Sequence, residues 1–597
     1  MKPGNGRPAA PGRRTLLTAF VAAAVALAFA DSSIVVLALP DVYRAFGTDI
    51  VGVSWVITSY NLVVALLAFA LVPVLRRVDV GRVSRLGLTV FCLGSIGAAS
   101  AWSLPALIVF RCFQGAGAAM LLAGCLALLS ALTGSAERGL AVWTTAGTLG
   151  AAVGPALGGI LTQFFSWRGI FVFQAPVALI ALVAAFESHL HPRAEGTERG
   201  GLAANLALAL VFGALVGALF LAVLLVITVW GFAPAAGALV VSALPLAAIA
   251  VSRLGRRLAP RSAASGGALL LAAGLVALAL LPAVSPGLVA AALALCGAGL
   301  GLAVPVLTHT AVRPDDAVVR RGTISIGARH AGLVIALALV APLLSHDLTS
   351  AGRQALLGGT KVILDGDVPL RQKVPIALDL RDAVVTAPKG VVPDLAAPFD
   401  ARGAAHDSSL RQLRDQLVGE LKGAVTRGFK WSFQLSAAFA ILALAPILAA
   451  RRLVGSPASA RGQPVLAILG LAGATLVAAE IALGGIGYGA VQLADPCTSK
   501  AAFQGGGIDG AVQRFALSGL AGAACSLGTT REELVLSFSP SAGVGKVRWD
   551  RATIEEALRA GLDRAARDTA GGGLLGAALA VVLRDAIANP VDWLLGR

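Results

Sequence analysis

Long apolar segments separated by short polar gaps fill most of the sequence. A helix that crosses the hydrocarbon core of a bilayer needs about 20 consecutive, mostly apolar residues, and about thirteen segments have this length and character. The predicted spans are residues 15–39, 52–75, 84–102, 105–130, 140–163, 169–187, 204–230, 235–252, 266–283, 287–309, 323–345, 431–450 and 464–490. The pattern therefore predicts an all-α polytopic membrane protein.

The first apolar segment follows a pair of arginines, Arg13 and Arg14. Twin arginines before an apolar stretch also occur in secretion signals. Here the apolar stretch continues past Asp31 to Pro40, which is longer than the apolar part of a signal peptide. We therefore expect a spanning helix and not a cleaved signal.

Basic residues lie in every second gap between the apolar segments. One set of gaps carries arginines, whereas the gaps near residues 103, 231–235 and 283–287 have almost none. Because Lys and Arg mark the cytoplasmic ends of membrane helices, residues 1–14 and 188–203 are predicted to be cytoplasmic. An odd number of spans then places the C-terminal end outside the cytoplasm.

Composition supports the membrane interpretation. Of 597 residues, 57% are hydrophobic and 13% are charged, whereas soluble proteins carry about 25% charged residues. The mean hydropathy is +0.82. The formal net charge of +16 does not indicate nucleic-acid binding, because the basic residues form no continuous face with stacking aromatic residues. The lipid bilayer is the expected surrounding, and nucleic acid is not an expected partner.

Two polar regions, 346–430 and 491–597, fall outside the cytoplasm in this topology and are predicted to form two α-rich extracytoplasmic modules. The first region has leucines at helical spacing between residues 410 and 421. In the second region, Thr530 and Thr553 each precede a glutamate by three residues, which is the capping-box pattern at the start of a helix.

The second polar region also holds two cysteines, Cys497 and Cys525. An oxidising location favours a disulfide between them. In the chain-entropy model, this bond would stabilise the folded region by about 3 kcal/mol. The alternative is two unrelated thiols. The later apolar segment 574–586 is interrupted by Arg584 and Asp585 and is too short to span a bilayer. An interfacial or packed helix is expected there.

Four segments of the first half carry motifs of a known family. They are Asp31-Ser32-Ser33-Ile34-Val35-Val36-Leu37-Ala38-Leu39-Pro40, Arg111-Cys112-Phe113-Gln114-Gly115-Ala116-Gly117, Gly147-Thr148-Leu149-Gly150 with Gly154-Pro155-Ala156-Leu157-Gly158-Gly159, and Ser166-Trp167-Arg168-Gly169-Ile170-Phe171. In this order and spacing they resemble the first-helix signature, the fourth-helix motif, the fifth-helix antiporter motif and the entry to the sixth helix of the major facilitator superfamily. Within that family, the resemblance is to the drug:proton antiporters with a fourteen-helix signature.

The resemblance covers residues 12–345 and 431–450, and it implies a core of two six-helix bundles. Residues 15–187 form the first bundle, residues 204–345 the first five helices of the second bundle, and residues 431–450 the twelfth helix. The two extra helices of the fourteen-helix relatives are not found between the halves. The span at 464–490 is instead an additional helix on the C-terminal side.

Asp31 and Arg111 are ionisable residues inside apolar segments, where a charge costs about 2.5–3.5 kcal/mol on the insertion scale. Counted at 1.5 Å per residue from the outer ends of their helices, they lie at similar depth and are placed to pair. Two interpretations are open: a proton-coupling pair in which a disturbance lets Asp31 bind a proton, and a permanent structural ion pair. For Arg111, the resemblance implies a role in proton transfer.

Three more ionisable residues lie within late spans: Arg329 and His330 in the eleventh, and Glu480 in the thirteenth. Arg329 either faces the cavity and meets an acidic substrate or a helix C-terminus, or snorkels to the cytoplasm. His330 titrates in the useful pH range and is a candidate for proton coupling. Glu480 is either a second proton site or an anchor to the core.

The fifth predicted helix has glycines at spacings of three to four residues, which leaves one bare face. Such a face lets a neighbouring helix approach closely, and a proline within it permits bending. The resemblance ties this segment to antiport, although tight packing alone predicts the same glycines. The candidates for the substrate pathway and its gating are Gln114, Gly115, Gly150, Gly154, Pro155, Gly158, Gly159 and Arg329.

No phosphate-binding loop, no Cys/His metal spacing and no cluster of nucleophile, base and acid is present in the sequence. We therefore expect no cofactor, no metal and no enzyme activity. The leading hypothesis is a plasma-membrane secondary transporter that exports lipophilic or amphipathic small molecules in exchange for protons. The alternative is a non-transporting scaffold whose outer modules bind a cell-envelope partner. Two features suggest it: the large polar regions, and the loop at residues 74–82, which departs from the family's usual motif after the second helix.

Overall fold

The computed structural model describes residues 11–187, 201–255, 257–282, 284–313, 317–386, 395–450, 453, 463–485, 493–498, 507–538 and 549–570. Within these ranges the regular secondary structure is helical and contains no strand. The helices are α1 Pro11–Phe46, α2 Ile50–Val74, α3 Val80–Ala99, α4 Leu104–Thr133, α5 Ala136–Phe165, α6 Trp167–Glu187, α7 Leu202–Val223 with a π-helical continuation Leu224–Val229, α8 Pro234–Val241, α9 Ala243–Gly255, α10 Pro260–Ala279, α11 Pro286–Ala311, α12 Val318–Asp365, α13 Leu370–Thr386, α14 Ala397–Asp400, α15 Ser408–Arg427, α16 Lys430–Leu442, α17 Leu444–Ala449, α18 Gln463–Ala482, α19 Gly507–Ser526, α20 Arg531–Leu536 and α21 Arg551–Ala570.

Twelve helical segments of the described chain are long and apolar enough to cross a membrane. Helix α3 is not among them, because Arg82 and Arg85 in its first turns lower its mean hydropathy. Together with α3, these segments correspond to the thirteen spans predicted from the sequence. The prediction of an all-α, multi-pass membrane protein is confirmed.

Several helix ends differ from the predicted bounds. The eleventh span was expected to end at residue 345, but α12 is 48 residues long and ends at Asp365. Beyond Pro342 the sequence keeps an amphipathic helical pattern, which sustains the helix in polar surroundings. The thirteenth span was expected to reach residue 490, whereas α18 ends at Ala482. Gly484 has a φ of 99°, a left-handed conformation that commonly ends helices.

The chain forms two compact units, Met1–Asp347 with Phe429–Ile486, and Leu348–Gly428 with Gly487–Arg597. The first unit contains α1–α11, α16–α18 and the first part of α12. Its helices are mostly apolar on all sides, as expected for segments whose outer face meets lipid.

Glycines set the closest helix approaches in the first unit. Several glycines lie so close to a backbone carbonyl of the neighbouring helix that a Cβ atom would not fit. Four of these pairs are Gly150 against Ala26, Gly115 against Tyr60, Gly332 against Ala209 and Gly297 against Leu244. The first and second pairs join α5 to α1 and α4 to α2. The third and fourth join α12 to α7 and α11 to α9, so the second half repeats the close contacts of the first, as in transporters built from structural repeats.

The second unit has a large hydrophobic core to which both polar regions contribute. Its buried side chains include Ile363, Leu380, Leu413, Leu417 and Leu421 from the first region and Leu517, Leu520, Leu534, Ile554 and Leu558 from the second. An ion pair of 2.9 Å between Arg531 and Asp365 also links them. The two modules predicted from the sequence therefore pack as a single unit.

Side-chain caps begin three helices of the second unit. Asp407 caps α15 by accepting from the backbone of Ser409 and Leu410, and Thr530 caps α20 by accepting from Glu533 N. At α21 the prediction of a start at Thr553 was wrong. Asp550 is positioned before the helix and its carboxylate accepts from Thr553 N at 2.8 Å, because aspartate is itself a strong N-cap residue.

A disulfide joins Cys497 and Cys525 in the second unit. The backbone carbonyl oxygens of Pro496 and Cys497 accept hydrogen bonds from Arg564 at 3.0 and 2.9 Å. The disulfide ties the segment before α19 to the C-terminal end of α19, and the hydrogen bonds from Arg564 hold this segment near α21. The predicted helix at 574–586 lies outside the described residues.

We predict that replacing Cys497 and Cys525 together by Ser lowers the free energy of unfolding of the second unit. The two residues are 28 apart in the chain, and a cross-link over a loop of that length contributes about 3–4 kcal/mol in the chain-entropy model. Hydrogen exchange of α19 and α21, measured by mass spectrometry on the full chain, would report the loss. Cys92→Ser in the first unit is the control, and equal protection in both variants would contradict the prediction.

Lys373 is a fully buried lysine in the second unit. Its Nζ donates to the carbonyl oxygen of Leu364 at 2.8 Å. Burial lowers the pKa of Lys373 from 10.5 to about 8, although the nearby carboxylate of Asp365 opposes this effect. The ammonium form is therefore held in the core at a cost in stability.

The stability of the second unit is expected to rise between pH 8 and pH 10.5. In this window the unfolded chain keeps the proton on Lys373 and the folded chain does not, so the free energy of unfolding increases with pH, by at most about 1.4 kcal/mol per pH unit for one proton. Below pH 8 the penalty is fully present. Pulse proteolysis of the full chain in urea would measure this slope. Lys373→Met should flatten it, and an unchanged slope in that variant would assign the effect to other groups.

Candidate functional site

A carboxylate and a guanidinium pair inside the first six helices. Asp31 on α1 and Arg111 on α4 are both completely buried. Arg111 Nη1 and Nη2 donate to Asp31 Oδ1 and Oδ2 at 2.9 and 2.7 Å, which is a bidentate pair. Arg111 Nε donates to the carbonyl oxygen of Val56 at 2.9 Å. Such paired, planar hydrogen bonds are the strongest that a guanidinium forms with a carboxylate.

Two glutamines extend this pair into a polar network. Gln114 Oε1 accepts from Arg111 at 2.6 Å, and its Nε2 donates to Ser95 Oγ at 2.8 Å and to Gln174 Oε1. Gln174 Nε2 then donates to Asp31 Oδ1 at 2.9 Å, which closes a ring of hydrogen bonds. The network joins α1, α3, α4 and α6, so hydrogen bonds link the carboxylate of Asp31 to side chains on three other helices.

Tyr60 on α2 covers one face of the ion pair. The guanidinium carbon of Arg111 lies 4.3 Å from the centre of the Tyr60 ring, and 5.7 Å from that of Phe171. The Tyr60 hydroxyl donates to the carbonyl oxygen of Ala28 at 3.1 Å. The aromatic rings exclude lipid and water from the pair and attract the cation.

The residue after Tyr60 contacts the second bundle. Asn61 Nδ2 donates to the carbonyl oxygen of Ile57 at 2.8 Å, so its Oδ1 is the atom that accepts. Oδ1 lies 2.6 Å from His330 Nδ1 and 3.3 Å from Ser32 Oγ. Because Asn61 Oδ1 has no proton, His330 Nδ1 must be the donor. The Tyr60 and His330 rings are also in edge contact, with centroids 6.3 Å apart.

A cavity of about 170 Å³ lies between the two bundles of the first unit. Its lining is mostly apolar and comes from α1, α5, α7, α9, α11 and α12, with Phe29, Val36, Trp143, Pro155, Phe212, Leu215, Leu244 and Leu333 among its side chains. The polar groups that line it include Ser32, Ser33, Thr144, Thr148, Ser252, Thr308, Arg329 and His330. In the described ranges, no three His, Cys, Asp or Glu side chains come together as a metal site.

Arg329 is the charged residue of the cavity lining. Its side chain is buried, and Nη2 donates to Thr308 Oγ1. Its guanidinium carbon lies 5.1 Å from the ring centre of Phe212 and 5.9 Å from that of Trp143. The sequence left two positions open for the Arg329 side chain, facing the cavity or snorkelling to the cytoplasm. In the structure it faces the cavity.

Glu480 on α18 is buried, and within the described chain neither of its carboxylate oxygens has a hydrogen-bond partner. Helix α18 packs on α10 and α11, with Gly473 close to Leu295 and Gly485 close to Leu280. Glu480 does not line the cavity and does not join the network around Asp31. The structure therefore separates it from the other proton-coupling candidates.

The glycine face of α5 packs against α1. Gly150 meets the backbone of Ala26, Gly154 meets the side chain of Ser33, and Gly158 meets the backbone of Ile34. Pro155 lines the cavity. Gly159 faces α8 instead, near Ala238, and Gly115 on α4 packs against Tyr60 on α2. These candidates thus fix helix distances around the cavity.

Four important side chains were not singled out from the sequence: Tyr60, Asn61, Trp143 and Gln174. The available signal for Asn61 and Gln174 was a polar amide inside an otherwise apolar segment. Trp143 and Tyr60 gave no comparable signal, because aromatic residues are common in membrane helices. Their roles depend on which helices are neighbours.

A family model described as Major Facilitator Superfamily matches residues 21–341. The multidrug resistance protein Stp of Mycobacterium tuberculosis is 34% identical over 174 residues, which are 28% of this chain and 32% of that protein. The cephamycin export protein CmcT of Amycolatopsis lactamdurans is 37% identical over 191 residues, 30% of this chain and 38% of that protein. The matched region therefore spans about a third of the length of these relatives.

The fold is similar to that of a solved transporter. A bacterial homolog of the human lysosomal transporter Spinster, in an inward-facing and unoccupied conformation, matches with a TM-score of 0.52 and 16% identity. The match covers 75% of this chain and all of that one. At this identity the likeness shows the fold alone.

Replacing Gly150 by Ala is expected to destabilise the first unit by about 1–3 kcal/mol, since the added methyl group meets the backbone of Ala26, which cannot move aside. Gly147→Ala is the matched control three residues away. Its methyl group meets only the side chain of Phe29, at 2.8 Å, which can rotate. Thermal unfolding in detergent would compare the two variants, and equal shifts would contradict the assignment of Gly150 as the fixed contact.

Proposed function

The chain belongs to the major facilitator superfamily, and we propose that it is a secondary transporter that exports lipophilic or amphipathic small molecules in exchange for protons. The observation that carries the proposal is the buried Asp31–Arg111 pair. Asp31 adjoins Ser32 and Ser33 in the chain, which line the central cavity. A proton site and a substrate cavity thus share one turn of α1.

Proton binding at Asp31 would break the bidentate pair. The protonated carboxyl group keeps a hydrogen bond but loses the charge attraction, and Arg111 is left buried with neutral partners. An uncompensated buried charge is strongly unfavourable, so the bundle is expected to rearrange until Arg111 is better solvated. This conversion of a protonation event into a packing change is what coupling requires.

The path from the proton site to the second bundle runs through α2. Tyr60 lies on the guanidinium of Arg111, and the next residue, Asn61, is hydrogen-bonded to His330 on α12. A shift of Arg111 would move Tyr60 and strain the contact between Asn61 and His330. Loss of this contact would let the two bundles separate on one side of the cavity, which is the movement of alternating access.

Location and orientation follow from the same proposal. We place the protein in the plasma membrane with its N-terminal end in the cytoplasm, as the alternation of arginine-rich gaps favours. The second unit is then extracytoplasmic, which suits its disulfide. Protons that enter from outside would drive the export of substrate.

Relatives favour transport over the scaffold alternative. Their names describe multidrug resistance, cephamycin export and, for a protein of Clostridioides difficile, riboflavin transport. A scaffold that binds an envelope partner would also not require a buried ion pair beside a cavity. The second unit is left as the part that could bind such a partner in addition to transport.

Asp31→Asn is expected to abolish export driven by a pH gradient in proteoliposomes. The amide cannot cycle a proton, and the rate should fall by about tenfold or more, the factor that corresponds to 1.4 kcal/mol in a barrier. Asp41→Asn is the matched control, because Asp41 lies on the same helix and pairs with Arg44 at its exposed end. It should keep the rate.

Folding of the Asp31 variant must be verified, since Arg111 loses its partner. Monodisperse elution and substrate counterflow without a gradient would establish that the cavity is intact. Asp31→Glu keeps the charge and should retain part of the gradient response. Full gradient-driven export by a folded Asp31→Asn variant would refute the proposal that Asp31 couples protons to transport.

A further inference from the structure

We propose that the central cavity selects substrates that carry a negative charge, and that Arg329 is the counter-ion that binds them. The inference rests on the proposed function, because it takes the cavity to be the substrate site. It goes further by naming the charge of the substrate and the residue that recognises it.

Two buried arginines of the first unit, Arg111 and Arg329, are in contrasting states. Arg111 has a carboxylate, two further acceptors and an aromatic cover. Arg329 has one neutral hydroxyl acceptor, Thr308 Oγ1. In the described part of the chain its Nε has no hydrogen-bond partner, and no acidic side chain pairs with it.

A buried cation without a counter-charge is unfavourable. The rings of Phe212 and Trp143, at 5.1 and 5.9 Å, offset part of this cost. They do not replace an anion, and they are also flat apolar surfaces on which a ring-bearing molecule can lie. Since Arg329 lines the cavity, an anionic group bound there would complete its coordination.

The rest of the lining contains no aspartate or glutamate. The carboxylate of Asp31 precedes Ser32 in the chain, but its oxygens are occupied by Arg111 and Gln174. A cationic substrate would therefore meet the guanidinium of Arg329 with no compensating acid in the cavity wall. The charge arrangement favours an anion and repels a cation, which is how a binding site discriminates.

The geometry also limits the kind of anion. Apolar side chains make most of the wall, and the cavity has a volume of about 170 Å³. A compact aromatic or alicyclic body with one carboxylate, sulfonate or phosphate group fits both the apolar wall and the single guanidinium. A planar carboxylate can accept from two guanidinium nitrogens at once.

The test uses three fluorescent ligands that differ only in one group: 7-(diethylamino)coumarin-3-carboxylate, its 3-carboxamide and its 3-aminomethyl analogue. Binding to the full-length protein in lipid nanodiscs is measured at equilibrium, with no pH gradient. The carboxylate is expected to bind about tenfold or more tightly than the carboxamide, and the ammonium compound more weakly than both.

Arg329→Gln should remove the preference for the carboxylate and leave carboxamide binding within about twofold, whereas Arg329→Lys should keep part of the preference. Arg85→Gln is the control, because Arg85 lies against the Phe186 ring at 5.3 Å and does not line the cavity. If Arg329→Gln does not fold, binding of the three ligands to the natural protein and to the Arg329→Lys variant tests the proposal.

Equal binding of carboxylate and carboxamide, or tighter binding of the ammonium compound, would overturn the proposal. A titration with chloride separates an organic anion from an inorganic one. Chloride that displaces the carboxamide or abolishes the preference would assign Arg329 to a bound inorganic ion and also overturn it. These outcomes leave the proton-driven export test unaffected, so the two proposals fail separately.

Discussion

The bidentate contact between Asp31 and Arg111 is the interaction on which the rest of the first bundle depends. Either charge alone would be costly in a bilayer interior. Held together, they share a network in which Arg111 donates to Gln114 and Asp31 accepts from Gln174, and the Tyr60 ring covers the guanidinium. Because these groups come from different helices, the ion pair links α1 and α4 to α2, α3 and α6.

Glycine provides the second constraint. In each half of the first unit, a glycine packs directly against the backbone of that half's first helix. Gly150 contacts Ala26 on α1, and Gly332 contacts Ala209 on α7. In lipid there is no hydrophobic driving force for helix association, so close van der Waals packing stabilises the contacts between helices. Two halves built on the same close contacts can move against each other as rigid bodies while the cavity between them changes shape.

The halves are alike in packing and unlike in charge. The first half contains a neutralised ion pair, and the second presents Arg329 and His330 towards the cavity. His330 also donates from Nδ1 to Asn61 Oδ1 of the first half. In the proposed mechanism the proton site therefore lies in the first bundle and the anion-binding arginine in the second, and Asn61 on α2 contacts the second bundle.

The sequence by itself determined the membrane class, and it predicted thirteen spans and a similar depth for Asp31 and Arg111. Apolar length, the family motifs and the rise per residue are local properties of a chain, and lipid makes them decisive because backbone polar groups must be satisfied within each helix. The disulfide between Cys497 and Cys525 was anticipated in the same way, as one of two alternatives.

Only the tertiary structure decided which polar residues meet. Gln174 lies 143 residues from Asp31, and Asn61 lies 269 residues from His330; no spacing rule connects such positions. The second unit illustrates the same limit, because the leucines around residue 417 and those around residue 520 each form an ordinary helical stripe. A stripe shows that a helix has an apolar face, but its partner is set by which faces are close enough in space to exclude solvent together.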